Sequence, residues 1–409
     1  MKYGIIGNSA AAIGCVEGIR ALDSKGEIVI LSSEPYETYS RPLISYLLWG
    51  KTDRAHMRYR DAGFYEKMGC TLRLGETVTA IHPDEKAVVL ESGERVSYDR
   101  LLVATGSRPL LPPIPGLSAV QNAHTFMSLD DAMALEQALR PDSRVLIMGA
   151  GLIGLKCAEG IAHRCGRLTV VDMADHILPS ILDKEGAALV QRRVEMEGVE
   201  IVLSDSVQSF STDRAVLASG REISFDLLVV AVGVRPNIEL VQAAGGETER
   251  GIVTDLRCQT SLPHVYAAGD CAQSHDVATD TDRVLALLPN AYMQGETAGK
   301  NMAGGDARYD KAIAMNAMGM FGYHMVTAGS YTGEALTYTE GENYKKLFVA
   351  DGLLKGFIMI GDVRRAGIYT KLIRERIPLS TIDFEKIAKF PQLMAFSKRE
   401  RAAQLGTVR

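Results

Sequence analysis

Six cysteines are spread over 409 residues, and none forms a CxxC pair or a zinc or iron–sulfur spacing. Cys15, Cys70, Cys157, Cys165, Cys258 and Cys271 therefore read as buried free thiols. Neither a resident metal centre nor a disulfide between neighbouring cysteines is expected. Positive charge is not in surplus: 45 Lys and Arg against 50 Asp and Glu leave a net charge of −5, which argues against a nucleic-acid binder. No uninterrupted apolar run reaches transmembrane length, so no membrane span is expected. The opening MKYGIIG reads directly into a strand and a glycine turn with no signal-peptide layout, which makes the cytoplasm the expected location.

What is plentiful is glycine, 39 residues against 14 prolines, in a chain 46% hydrophobic and 23% charged. That balance suits an α/β protein with many tight strand-to-helix turns, and the length calls for two or three domains. KYGIIGNSAAAIGCVEGIRAL followed by EIVILSSE spells a strand, a small-residue turn, a helix and a second strand. RVLIMGAGLIGLKCAEGIAHRCGRLTVVD repeats that pattern roughly 140 residues later, a spacing typical of one domain. Between the two starts, Ala104-Thr105-Gly106 leads into a crossing through Pro112, Pro113 and Pro115. The return, ISFDLLVVAVGVRPNIEL, again runs strand, glycine turn, Arg-Pro, and is followed by HVYAAGDCAQ and a helix from Leu288 to about Met302. From Lys311 the pattern changes to alternating, turn-rich segments such as KKLFVADGLLKGFIMIG, which read as antiparallel strands, and the stretch from Ile382 to Arg409 reads as a basic helical tail.

Gly149-Ala150-Gly151-Leu152-Ile153-Gly154 is a full GxGxxG between a strand and a helix. The first glycine permits the turn, the second lets the backbone approach a pyrophosphate, and the third lets helix pack on strand. The helix N-terminus adds N–H donors and partial positive charge. Asp172 ends the next strand, 18 residues after Gly154, where a carboxylate accepts both ribose hydroxyls and repels a 2′-phosphate. NADH is therefore expected over NADPH. The earlier turn, Gly7-Asn8-Ser9-Ala10-Ala11-Ala12, has Ser9 where the second glycine belongs, so a Cβ faces the pyrophosphate there. Glu34, 22 residues after Ala12, is its ribose acid. Asp270 follows Gly269 at a strand end, where ligand crevices open in such sheets, and can also cap a helix.

The ordered set of glycine-rich turn, ATG, GxGxxG, GVRPN and AAGD resembles the two-dinucleotide-binding-domain flavoproteins, the pyridine nucleotide–disulfide oxidoreductase superfamily, over about residues 1–305. The resemblance implies an α/β fold of two Rossmann-like domains, the second inserted in the first, and a small α+β C-terminal interface domain. It places FAD on residues 1–112 and 241–310, the nicotinamide dinucleotide on 113–240, and the interface domain with its basic tail on 311–409. The FAD contacts it implies are Gly7, Ser9, Ala10, Ala11, Glu34, Arg41, Pro42, Thr105, Gly106, Gly269 and Asp270. Those implied for NAD are Gly149, Gly151, Leu152, Ile153, Gly154, Asp172 and Gly233.

Tyr39-Ser40-Arg41-Pro42-Leu43 narrows the branch. Thiol-dependent members carry a reactive cysteine just after the FAD ribose acid, and this chain has none between Cys15 and Cys70. The segment instead resembles rubredoxin reductases, the flavin domain of nitrite reductases and oxygenase-coupled ferredoxin reductases. The implied activity is an FAD-dependent NAD(P)H oxidoreductase that exchanges electrons with rubredoxin, a ferredoxin or another iron–sulfur carrier, in either direction, as a monomer or a homodimer. The alternative is a small-molecule reductase or NADH oxidase acting on oxygen, a quinone, a disulfide or a persulfide, with Cys271 as its one thiol candidate. No catalytic residue is assigned; candidates beside the flavin are Arg41, Pro42, Tyr46, Lys156 and Glu159.

Two positions depart from the pattern. Tyr46 stands where ferredoxin reductases have a lysine near the flavin, and Lys156 where many members have a glutamate. Lys156 can pair with Glu159 at i,i+3 or tune the flavin electrostatically. In the interface domain, Arg364, Arg365, Lys371, Arg374 and Arg376, with Lys386, Lys389, Lys398, Arg399 and Arg401 in the tail, read either as a solvated face or as a dock for an acidic carrier. His324 reads as a packed or hydrogen-bonded histidine rather than one facing the flavin.

Overall fold

The computed structural model describes residues 1–396; Lys398, Arg399 and Arg401 lie outside the described residues. Two compact units emerge. One comprises Met1–Ile177, Glu195–His275 and Asp282–Asp310; the other comprises Leu178–Val194, Asp276–Thr281 and the chain from Lys311 onward.

The first unit holds two parallel five-stranded sheets. In the first sheet the order is Val265–Ala267, Arg100–Val103, Lys2–Ile6, Glu27–Ser32, Cys70–Leu74, each pair parallel. In chain order that is 5-4-1-2-3, the half-Rossmann arrangement, which opens its crevice at the carboxyl ends of the strands. Helix α1 (Ala10–Arg20) leaves the first strand, and α2 (Ile44–Leu48) follows the second. The strands are buried apolar runs such as KYGII and EIVILS, as a sheet covered on both faces requires.

The second sheet runs Val199–Val202, Arg167–Val171, Arg144–Met148, Leu227–Val230, Ala123–His124, again all parallel. Helix α3 (Leu129–Ala138) is stopped at its N-terminus by a reciprocal Ser128–Asp131 capping box, and α4 (Leu152–Ile161) leaves the GxGxxG turn. All of this sheet precedes Val265–Ala267 in the chain, so the second fold is inserted in the first. The two crossings, Ser107–Pro109 and Val234–Pro236, pair as an antiparallel ribbon. Proline at the end of each of these short strands is tolerated because the ribbon has only two strands and an open edge. The chain then returns to the first fold with α5 (Leu288–Met302), which lies against α1.

The second unit is built on a five-stranded antiparallel sheet, ordered Met315–Met320, Tyr323–Gly329, Leu353–Ile360, Asn343–Ala350, Glu334–Glu340. The KKLFVADGLLKGFIMIG segment is two of these strands. Its Asp351-Gly352 turn has φ of 54° and 69°, the left-handed pair that a two-residue hairpin needs. Leu178–Val194 belongs with this unit through its own side chains: Asp183 accepts from Lys346 Nζ (2.7 Å) and Tyr344 OH (2.6 Å), and Arg193 donates to the Phe321 carbonyl (2.9 Å).

Two expectations need correction here. The tail is not one helix from Ile382: a short helix, Phe384–Lys389, is followed by a break at Phe390-Pro391 and a single 3₁₀ turn at Leu393–Ala395. His324 is neither packed nor turned inward; its side chain is exposed on an antiparallel strand. Four of the basic residues named from the sequence have acidic partners nearby. Arg364 is held by Asp362 (2.6 Å), Arg376 faces Asp280 (3.9 Å), Lys386 pairs with Asp383 (2.6 Å) and Lys389 with Glu385 (3.3 Å). The Lys386 and Lys389 pairs are three and four residues apart on one helix turn, the spacing at which such charges meet. No described helix is long and apolar enough to cross a membrane.

Candidate functional site

A cleft of about 560 Å³ opens at the carboxyl end of the first sheet. Gly7, Ser9, Ala10, Ala11, Glu34, Arg41, Thr105, Gly106, Gly269 and Asp270 all line it. Of the residues implied for FAD, Pro42 alone is exposed, opening the 3₁₀ turn Arg41–Leu43. Gly7 has φ of 101°, and a Cβ there would overlap the Ala104 carbonyl oxygen. Ser9 is extended (φ −133°, ψ −160°) at the N-cap of α1, and its hydroxyl makes no capping bond. Its counterpart Gly151 has open space where a Cβ would point. A serine in this place therefore strains no backbone and presents a hydroxyl to the cleft.

Glu34 is held from both sides. Arg41 donates to one oxygen, and Tyr39 OH donates to the other at 2.9 Å. Arg41 also reaches Tyr39 OH (3.1 Å) and the Met127 carbonyl (3.2 Å). Burial opposes the Arg41 charge, but Tyr39 and Glu34 outweigh it and its pKa is raised. Arg41 thus lines the cleft as part of a cluster with Glu34 and Tyr39. A carboxylate has about four acceptor sites, so Glu34 retains capacity for ribose hydroxyls.

Asp270 accepts from Ser107 Oγ at 3.2 Å. Burial pushes its pKa up, with Ser107 and the Arg41 charge pulling the other way. The Gly269 N–H preceding it donates to Gln294 Oε1 (2.9 Å) on α5. Asn237 ties the two crossings together: its side chain donates to the Thr105 carbonyl (2.8 Å), and its own carbonyl accepts from Thr105 Oγ1 (2.8 Å). Tyr39, Ser107 and Gln294 escape sequence reading, because their partners stand 5 to 163 residues away with no local spacing to mark them.

The second cradle collects Gly149, Gly151, Leu152, Ile153, Gly154, Asp172 and Gly233 at the carboxyl edge of the second sheet. Gly149 (φ 107°) packs so that a Cβ would strike the Ala231 carbonyl, two residues before Gly233 (φ 122°). A Cβ at Gly154 would strike the Gly149 carbonyl, so three glycines serve three different needs. Asp172 is already engaged with the turn: Oδ2 accepts from Ala150 N–H (2.6 Å) and Oδ1 from Ala174 N–H (2.8 Å). It braces the loop and keeps acceptor sites for a ribose.

The two cradles meet where α2 packs on α4. A Cβ on Gly160 would lie 2.8 Å from the Ser45 carbonyl oxygen, so glycine permits the approach. In this seam the two departures from the family pattern touch. Lys156 Nζ stands 4.5 Å from the Tyr46 ring centroid and ion-pairs with Glu159, whose side chain is 3% exposed. The i,i+3 pair forms, and Tyr46 covers it.

Cys271 is fully buried with Sγ against the Val103 (3.5 Å) and Ala268 (3.4 Å) carbonyls, and burial raises its pKa. That is an inert thiol. Cys15, Cys157 and Cys258 are likewise buried, whereas Cys70 and Cys165 are half-buried.

These residues fit FAD in the first cradle and a nicotinamide dinucleotide in the second: glycine turns open to a pyrophosphate, helix N-termini behind them, and an acid at each ribose position. Comparison with known families agrees. Residues 1–295 match the family described as pyridine nucleotide-disulphide oxidoreductase, and residues 315–377 match the rubredoxin NAD+ reductase C-terminal domain. The chain is 32% identical over 394 residues to the NADH-dependent phenylglyoxylate dehydrogenase subunit epsilon of Aromatoleum evansii, covering 93% of each. It is 32% identical to the assimilatory nitrate reductase electron transfer subunit of Bacillus subtilis over 91% of its own length and 49% of that protein, so it spans about half of that relative. In fold it superposes on the reductase of a covalent putidaredoxin reductase–putidaredoxin complex with a TM-score of 0.88, 24% identity and 99% of each chain covered. The chain belongs to the pyridine nucleotide-disulphide oxidoreductase family and is an FAD-dependent NAD(P)H oxidoreductase.

Proposed function

We propose that this chain takes hydride from NADH and delivers electrons one at a time to an iron–sulfur carrier, either a free protein of rubredoxin or ferredoxin type or a partner subunit. The observation that carries the reading is the thiol-free cleft: no described cysteine lines it, and Cys271 beside it is packed against backbone carbonyls. With no protein disulfide to receive them, the electrons leave the molecule directly. The relatives named as an NADH-dependent dehydrogenase subunit and an electron transfer subunit support this, as does the C-terminal match to rubredoxin NAD+ reductase.

FAD, when bound, supplies hydride acceptance and single-electron release. The chain supplies position. The N-terminus of α4 and the Gly149–Gly154 turn hold the dinucleotide pyrophosphate, Asp172 holds the adenosine ribose, and Glu34, braced by Arg41 and Tyr39, holds the FAD ribose. Anaerobic stopped-flow mixing with NADH should bleach the flavin band, and reoxidation should be faster with rubredoxin or ferredoxin than with oxygen or a quinone. An unbleached band ends the proposal; preference for oxygen or quinone moves the chain to the small-molecule alternative.

NADH is the proposed donor because the Asp172 carboxylate would face a 2′-phosphate. Asp172→Ala removes both the ribose acceptor and the brace on Ala150. It should weaken NADH binding at least tenfold and narrow the NADH/NADPH ratio of kcat/KM. Equal NADH affinity in the variant would show that another residue holds the ribose.

A further inference from the structure

A second cavity, of about 510 Å³, lies in the first unit and shares no lining residue with the cleft. Its frame is fixed by hydrogen bonds. Tyr309, buried in its wall, donates its N–H to the Leu256 carbonyl (2.7 Å) and its hydroxyl to Asn290 Oδ1 (2.7 Å). Asn301 donates to the Arg257 and Ala307 carbonyls (2.9 Å each) and accepts from the Ala307 N–H (2.8 Å). Two buried polar side chains in the wall have donors to spare. Ser274 is 8% exposed, and its hydroxyl has no hydrogen-bond partner. Gln294 on α5 is 2% exposed. Its Oε1 is fixed on the Gly269 N–H, which leaves its amide nitrogen, unbonded among the described residues, as the group it offers the cavity. Buried polar groups are almost always paired, and a cavity with a few such groups converging on it is where a ligand is expected.

The charges lining the cavity select the ligand. Arg257 is taken by Asp306 and by the Gly305 carbonyl (2.9 Å), and Asp282 by His275 Nδ1 (3.0 Å). One oxygen of Asp255 accepts from the Arg257 and Gln259 N–H groups (2.9 Å each). Arg308 and Asp310 are exposed on either side of buried Tyr309, and neither has a hydrogen bond or ion pair among the described residues. One cation, one anion and two neutral donors are thus left to a ligand. No cluster of three His, Cys, Asp or Glu among the described residues could hold a metal ion. A simple anion would meet Asp310 and a simple cation Arg308, whereas a molecule carrying both charges satisfies both. We infer that this cavity binds a small zwitterion of the α-amino-acid class, with its carboxylate on Arg308, its ammonium on Asp310 and a side-chain acceptor on Ser274 Oγ and Gln294 Nε2. Its occupancy reaches the cleft through one side chain, because Gln294 also holds the Gly269 N–H beside Asp270, and both Gly269 and Asp270 line the cleft. A ligand accepting from Nε2 holds the amide at both ends and stiffens that turn, so FAD should leave more slowly.

The effect on FAD rests on the flavin reading above; the binding site does not, and the test separates the two. The flavin-loaded protein is titrated calorimetrically with each of the standard free L-amino acids, and with the N-acetyl and carboxamide derivatives of any that bind. At least one amino acid should bind, and blocking either its amino or its carboxyl group should abolish binding. Arg308→Ala and Asp310→Ala, both at exposed positions, should each weaken it tenfold or more, and Ser274→Ala should weaken it while leaving flavin reduction by NADH without ligand as in the parent. The bound amino acid should slow FAD release, followed by the rise in free-flavin fluorescence, in the parent and not in Arg308→Ala. No binding by any amino acid, equal binding of the N-acetyl derivative, or parental affinity in both alanine variants would overturn the site. Binding with an unchanged FAD release rate would overturn the link through Gln294 and leave the site standing. A parent purified without flavin would overturn the flavin reading alone, since the calorimetric arm needs no flavin.

Discussion

Gly295→Val should yield a protein that is nearly free of flavin and melts several degrees lower. Helices α1 and α5 touch through their backbones. A Cβ at Gly295 would overlap the Ala11 carbonyl oxygen, one at Gly299 the Cys15 carbonyl, one at Gly14 the Tyr292 carbonyl and one at Gly18 the Glu296 carbonyl. Each helix therefore offers two glycines four residues apart to the other's main chain. Side chains in a core can rotate away from an added methyl, but a carbonyl in a helix cannot. The cost belongs at or above the upper end of the ~1–3 kcal/mol usual for overpacking. Function suffers with stability because both helices shape the cleft: Ala11 and Ala291 line it, and Gln294 on α5 holds the Gly269 N–H next to Asp270. Pushing α5 outward opens the cleft and pulls Gly269 with it. Gly295→Ala should do the same to a smaller degree. The flavin-to-protein absorbance ratio and the melting midpoint are the measurements, and a valine variant with parental values of both would show that the helices are free to separate.

The turn chemistry of both cradles was legible in the sequence because each glycine answers to a local demand. Gly149, Gly151 and Gly154 are spaced by the turn itself, and Asp172 by one helix and one strand. The doubly wound order follows from alternating strand and helix, and the inserted second fold from the repeated start. What stayed hidden depends on distance. The ATGSRP and GVRPN segments look alike in the sequence, yet nothing in either says that they pair with each other as a ribbon. The bracing of Glu34 by Tyr39 and Arg41, and of Asp270 by Ser107, comes from chain folding and leaves no periodic mark. In the C-terminal unit, Asp362, Asp383 and Glu385 pair with Arg364, Lys386 and Lys389 a few residues away, which a count of cations does not show. His324 was misjudged for a related reason: strand alternation alone does not say which face of an antiparallel sheet is covered.

Lys156 shows how two irregularities, each unexplained alone, become one feature in space, and its removal has the other large expected effect. Glu159 is 3% exposed and ion-pairs with the Lys156 ammonium. Taking one partner from a buried ion pair costs up to about 3–5 kcal/mol, far more than the pair is worth against an apolar replacement. Lys156→Met should therefore destabilise the protein strongly, and Lys156→Met/Glu159→Met should recover most of the loss. Tyr46→Leu removes the ring beneath the ammonium, an interaction of about 0.5–2 kcal/mol, together with its stack on Trp49, and should cost less than losing the ammonium. Tyr46→Leu should cost less once Lys156 is methionine than it does in the parent, because the two share the ring–ammonium contact and only the stack on Trp49 is left to lose. The seam joins the first fold to the second, and on the proposed function these hold the flavin and the nicotinamide, so the rate of flavin reduction by saturating NADH should fall in Lys156→Met even at temperatures where the variant is fully folded. A cycle of melting midpoints over the single and double variants measures the coupling. Strict additivity between Lys156 and Glu159 would mean that the ion pair bears no load, and an unchanged reduction rate would confine Lys156 to holding the two folds together.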